Sequence, residues 1–124
     1  MTAIANPPCR GIDVSLDDLS DAAIDALPLG VVALDEADRV ARLGRAAARQ
    51  AGVTAWRVLG RTLAEVAVAL GAPALVDAVA RFRASPAAAQ CLEVTFDQRR
   101  GRRTAAVELR RGREPGRVYL CIAA

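Results

Sequence analysis

Apolar and polar positions along this chain change period several times, and each change marks an element. Leu16, Leu19, Ala23, Ile24 and Leu27 recur at helical spacing. Ser15 stands at the N-cap position with Asp18 three residues on, close to a capping box, and Asp17 and Asp18 suit the positive end of a helix dipole. The pattern predicts one amphipathic helix over 15–27, stopped by Pro28. Val31–Leu34 is an uninterrupted apolar run, Asp35–Asp38 is an acidic turn, and Arg39–Leu43 alternates polar with apolar. Those three pieces predict a β-hairpin, which the rest of the chain packs against. A small-residue helix over 45–50 follows and ends at Gly52.

The middle of the chain reads as helical and its end as β. Val53–Leu59 is a linker carrying the single tryptophan, Trp56, the kind of residue that anchors a loop to a core. Gly60 marks a turn, and Thr62 caps a helix over 63–70 that stops at Gly71. Ala72-Pro73 opens a longer helix to about Ala84, with Leu75, Val76, Val79 and Phe82 on one face. Ser85-Pro86 breaks it. Cys91–Asp97 and Thr104–Arg110 alternate, with Leu92, Val94 and Phe96 on one face of the first and Ala105, Val107 and Leu109 on one face of the second. Arg99–Arg102 and Arg111–Gly116 are turns, and Val118–Ala123 is a closing apolar strand. Helices inserted between the strands of an antiparallel sheet give an α+β domain. Met1–Ile12, with Pro7-Pro8 and Gly11, reads as a flexible arm, and 13–124 as one domain.

Composition narrows the chemistry. At 124 residues the chain supports one core, and with aromatics at 3% that core rests on Leu, Val and Ala. There is no histidine, which removes the commonest metal ligand and general base. Cys9, Cys91 and Cys121 are widely spaced and form no CxxC pair, so neither a metal site nor a cofactor is expected. Cys91 and Cys121 read as buried thiols in strands, with a disulfide open to them only if those strands are neighbours. No nucleophile elbow, phosphate-binding glycine loop or paired carboxylates occur, so no catalytic residue is assigned and no enzyme is expected. Nothing after Met1 resembles a signal peptide and no apolar run is long enough to span a bilayer, which leads us to expect a cytoplasmic protein without membrane partners.

The order of elements, together with Leu27, Gly30, Leu34 and Asp35 in the first hairpin, Ala46, Gly52 and Gly60 after it, and the string Glu93-Val94-Thr95-Phe96-Asp97, resembles the PAS superfamily, and within it the photoactive yellow protein family. The resemblance implies a five-stranded antiparallel sheet with inserted helices and an N-terminal helical cap. It does not extend to the photochemistry. That family carries p-coumarate on a cysteine, and the matching segment Ala64–Gly71 has none, with Leu70 about where the nucleophile belongs. The family's phenol-binding tyrosine and glutamate align with Leu43 and Ala47, and its neighbouring threonine and arginine with Ala51 and Val53. A buried phenolate needs charged or hydrogen-bonding partners, and these positions offer alkyl groups.

Three places are candidates for function. Leu43, Ala47, Ala51, Leu63, Val66, Ala67, Leu70 and Phe96 would line either a cavity for a small apolar ligand or a filled core. Leu16, Leu19 and Ile24, on the N-terminal helix, would meet a protein partner or a second copy, or fold back on the sheet. The arginines at 99–103, 110, 111, 113 and 117 are the weakest candidate, since a nucleic-acid site would want interleaved aromatics that are missing. The resulting expectation is a non-photoactive regulatory module acting through protein contact or dimerisation, with sensing of a small apolar ligand as the alternative.

Overall fold

The computed structural model describes residues 15–52, 55–99 and 101–123, with backbone alone at 55 and 56. The expected arm over 1–12 and the side chain of Trp56 lie outside the described residues. Five strands, β1 (Gly30–Leu34), β2 (Val40–Leu43), β3 (Ala89–Gln98), β4 (Gly101–Arg111) and β5 (Val118–Ile122), form one sheet in the order β2-β1-β5-β4-β3. Every pairing is antiparallel. The last three strands therefore join the opening hairpin through β5, which lies directly against β1. Helices α2 (Arg45–Ala51), α3 (Ala55–Val58), α4 (Leu63–Leu70) and α5 (Ala74–Ala84) fill the crossover between β2 and β3.

Burial on both faces explains why β1 and β5 are apolar without alternation. All five residues of each are buried. Val32, Leu34, Val118, Leu120 and Ile122 face the helices and join Val66, Leu70, Leu75, Val79 and Phe82 in the main core. Val31, Ala33, Tyr119 and Cys121 face the other way, into a smaller core closed by Leu16, Ile24 and Leu29. Central strands covered on both sides need no polar face.

The N-terminal segment departs from the expected single helix. A 3₁₀ turn, Leu16–Asp18, ends at Leu19 in extended conformation, and Ser20 starts a separate helix, α1 (Asp21–Asp25), by accepting a hydrogen bond from the Ala23 N–H. Two serines each cap a piece, and tertiary bonds favour the break. The Arg42 guanidinium donates to the carbonyls of Leu16 and Leu19, at 3.2 and 2.6 Å, which a continuous helix would have used internally. Asp17 serves the tertiary fold as well as its own turn, taking the Tyr119 hydroxyl at 2.9 Å and the Arg113 N–H at 2.8 Å.

Two further expectations change. The β3–β4 ladder runs down to Gln98 opposite Gly101, so Arg102 belongs to a strand and the polar turn is tighter than its charge run suggests. Cys91 and Cys121 both sit opposite Glu108, one on each side of β4. Two strand spacings, roughly 9–10 Å, separate them. That exceeds the reach of a disulfide, and neither cysteine is in one; Cys121 is buried as expected, whereas Cys91 is half-buried.

Arg83 and Arg111 secure α5. Arg83 donates to the Asp35 carbonyl and the Gly116 carbonyl, each at 2.7 Å, and pairs with Asp38. Arg111 stacks over the Phe82 ring at 4.7 Å and donates to the carbonyls of Phe82, Ser85 and Ala87 at the end of the helix. Gly71 ends α4 in the left-handed region, φ 69°, where its carbonyl accepts the Asp97 N–H at 2.9 Å and ties the helix to β3.

Candidate functional site

An open cleft of about 340 Å³ lies between α2, α3 and α4, over β1 and β2. Val32 and Leu43 come from the sheet, Ala47 and Ala51 from α2, Val58 from α3, and Val66, Ala69 and Leu70 from α4. The helices arrange this through local chemistry. Thr62 caps α4 by accepting the Glu65 N–H, and Val66 and Leu70, four apart, then fall on one face. Alanines on α2 keep that helix close to β1 and leave the space next to α4 unfilled by side chain.

Five of the eight residues assigned from the sequence, Leu43, Ala47, Ala51, Val66 and Leu70, line the cleft, and Ala67 is packed into the main core. Leu63 and Phe96 do not line it either. Leu63 is packed into the main core, and Phe96 lies on β3, beside a separate polar recess with Gln50, Gln98, Arg49 and Arg103. Sequence reasoning missed the contributors from the mouth: Arg57, Arg61 and Glu65. All three are exposed, whereas Val32, Ala47, Val58, Val66 and Leu70 are buried. The cleft is thus dry at its floor and charged at its opening. Arg61 and Glu65 form an i,i+4 ion pair at 3.5 Å with side chains 64% and 54% exposed, the kind of contact that contributes little to stability.

The other two candidates have different fates. Leu16 and Ile24 are buried against the sheet of their own chain, and Leu19 packs half-buried at its rim. Among the described residues, most of the candidate arginines have partners within the chain. Arg102 pairs with Asp97, Arg110 with Glu108, Arg113 with Asp18 and Arg117 with Glu114, while Arg103 lies over the Phe96 ring. Among the described residues no cluster of three metal-ligating side chains occurs, and no helix is long and apolar enough to cross a membrane.

Perturbed ionisation is found away from the cleft. Burial by itself would raise the Asp17 carboxyl, but hydrogen bonds from Tyr119, Arg113 and Ser15 outweigh it and hold the group below its ordinary value. Burial, and then the bond it donates to Asp17, push the Tyr119 hydroxyl up. In the β1–β2 turn, Asp35 is lowered by the Arg39 N–H against a smaller opposing effect of burial, and the Ala37 N–H adds to the lowering. Each of these shifts arises from contacts within the fold.

Comparison with known proteins follows the same outline. The family model described as PAS fold matches residues 24–123. No curated protein matches the chain. Among solved structures, the photoactive yellow protein domain from the sensor histidine kinase Ppr of Rhodospirillum centenum superposes with a TM-score of 0.76 at 24% identity, covering 88% of this chain and 96% of that one. The PAS domain of Bordetella pertussis BvgS gives 0.65 at 20% identity, over 84% and 82% of the two chains. The PAS domain of the Cronobacter turicensis quorum-sensing receptor RpfR, in complex with C12:0, gives 0.61 at 18% identity, over 77% and 92%.

Proposed function

The chain belongs to the PAS fold family, and we propose that it works as a regulatory module that responds to a small apolar molecule held in the cleft between α2, α3 and α4. PAS domains are generally sensory or regulatory rather than catalytic. The observation that carries the reading is the unfilled space itself: a cleft of about 340 Å³ falls within the range of small-molecule sites, and alkyl groups make its floor. A similar fold in complex with C12:0 supports it. The positions that would hold a phenolate chromophore are Leu43, Ala47 and Ala51, which favour an aliphatic occupant over a polar aromatic one.

Filling the cleft tests this. Ala47→Phe introduces a ring where the ligand would lie, and is expected to abolish uptake of an apolar probe such as 1-decanol while the protein still unfolds cooperatively. If the space is packed in solution, the same change should instead destabilise the fold by about 1–3 kcal/mol through overpacking. Calorimetric titration and a thermal melt of the same sample separate the two results.

A second reading, contact with a protein partner or a second copy, is favoured by Val68, 75% exposed on the outer face of α4, with Leu59 and Val76 also at the surface. Sizing across a concentration series tests self-association, and a monomer throughout would count against it.

A further inference from the structure

Resting on the reading of the cleft as a ligand site, we propose that its ligand is an anionic amphiphile: an aliphatic chain on the apolar floor with a carboxylate head at the mouth, between Arg57 and Arg61. Polar and apolar lining residues are segregated. Every charged side chain that lines the cleft is exposed at its opening, and Val32, Leu43, Ala47, Val58, Val66 and Leu70 supply the interior. A wholly apolar molecule would gain nothing from that rim. A cationic head would meet two guanidiniums and one carboxylate, whereas an anionic head meets the opposite balance. Guanidinium also matches carboxylate geometry through paired N–H donors.

Glu65 competes with a ligand carboxylate for Arg61, and its bond to Arg61 is weak. At 3.5 Å, with both side chains more than half exposed, the pair is cheaply exchanged for one between Arg61 and a ligand carboxylate. Cleft size sets the chain length. At about 30 Å³ for each water-sized atom, the space holds on the order of ten heavy atoms. That fits a medium-length aliphatic acid.

The test is isothermal titration of the whole chain with decanoate, 1-decanol and decyltrimethylammonium, each below its micellar concentration and at low salt. Decanoate should bind at least tenfold more tightly than 1-decanol, and decyltrimethylammonium more weakly than either. The double variant Arg57→Gln, Arg61→Gln should lose the preference for decanoate while still binding 1-decanol, and Ala51→Phe should lose both. If 1-decanol binds and decanoate binds no more tightly, the anionic head is overturned and the apolar cleft stands. If none of the three binds, both readings fall. Decanoate binding that survives Ala51→Phe unchanged places the acid elsewhere on the molecule and overturns the proposal, as does a preference for the cationic probe.

Discussion

Asp17 occupies a position that local pattern assigns to the first turn of a helix, and the fold uses it for something larger. Its carboxylate takes hydrogen bonds from Tyr119 and Arg113, more than ninety residues away in sequence. Asp17→Asn is expected to cost about 1.5–3 kcal/mol, the usual range for hydrogen bonds to a charged group. The sign of its pH dependence follows from the lowered carboxyl. Stabilisation is complete above the unfolded-state value, near pH 4, and is lost as pH falls through the lower folded-state value. Urea denaturation at neutral and acid pH should therefore show the gap between wild type and variant closing toward acid; a gap that stays constant would rule this out. Gly71 is another residue whose identity is dictated by geometry. A Cβ there would collide with the Asp97 carbonyl, and φ is already in the left-handed region. Gly71→Ala should cost at least about 2 kcal/mol, seen as a lower melting temperature, and loosen the junction of α4 with β3.

At the scale of elements, strands were the most legible part of the sequence. β3 announces itself by alternation because one face is wet, and β4 alternates in sequence although Glu108, on its polar face, is itself buried. β1 and β5 were recognisable as apolar runs, but nothing in those runs says that odd and even residues serve two separate cores. The helix expected over 15–27 breaks because Arg42, distant in sequence, takes carbonyls that a continuous helix would use. Much the same applies to the cleft. Its walls on α2 and α4 were readable from alanine and leucine spacing. Its mouth was not, because α3 is four residues long, too short for any period to show, and the segment around it reads as a linker. Phe96 was misplaced because alternation fixes a face and not a position along the sheet. Arg83 makes a prediction at this scale. It joins α5 to the β1–β2 turn and to Gly116 through a fork that an ammonium group cannot reproduce. Arg83→Lys keeps the charge and should still destabilise by about 1–3 kcal/mol in chemical denaturation; an unchanged midpoint would mean the fork contributes nothing.

For the whole molecule, the PAS fold is present, and the positions that the sequence resemblance matches to a chromophore site carry aliphatic side chains. Leu70 and Ala47, each 1% exposed, stand where the resemblance places the thiol and a phenol partner. Incubated with a p-coumaryl thioester, the protein should remain colourless, and a visible absorbance band would refute the assignment. The sheet order has a last implication. Beyond β2, the segment Gly60–Thr62 occupies the start of that border, with Gly60 donating to the Val40 carbonyl, Val40 donating to that of Arg61, and a bridge between Arg39 and Thr62. No strand borders β3 on its far side among the described residues. A ribbon of copies joined edge to edge would need two open borders per molecule. With the start of one already paired within the chain, edge-to-edge growth is disfavoured at that border.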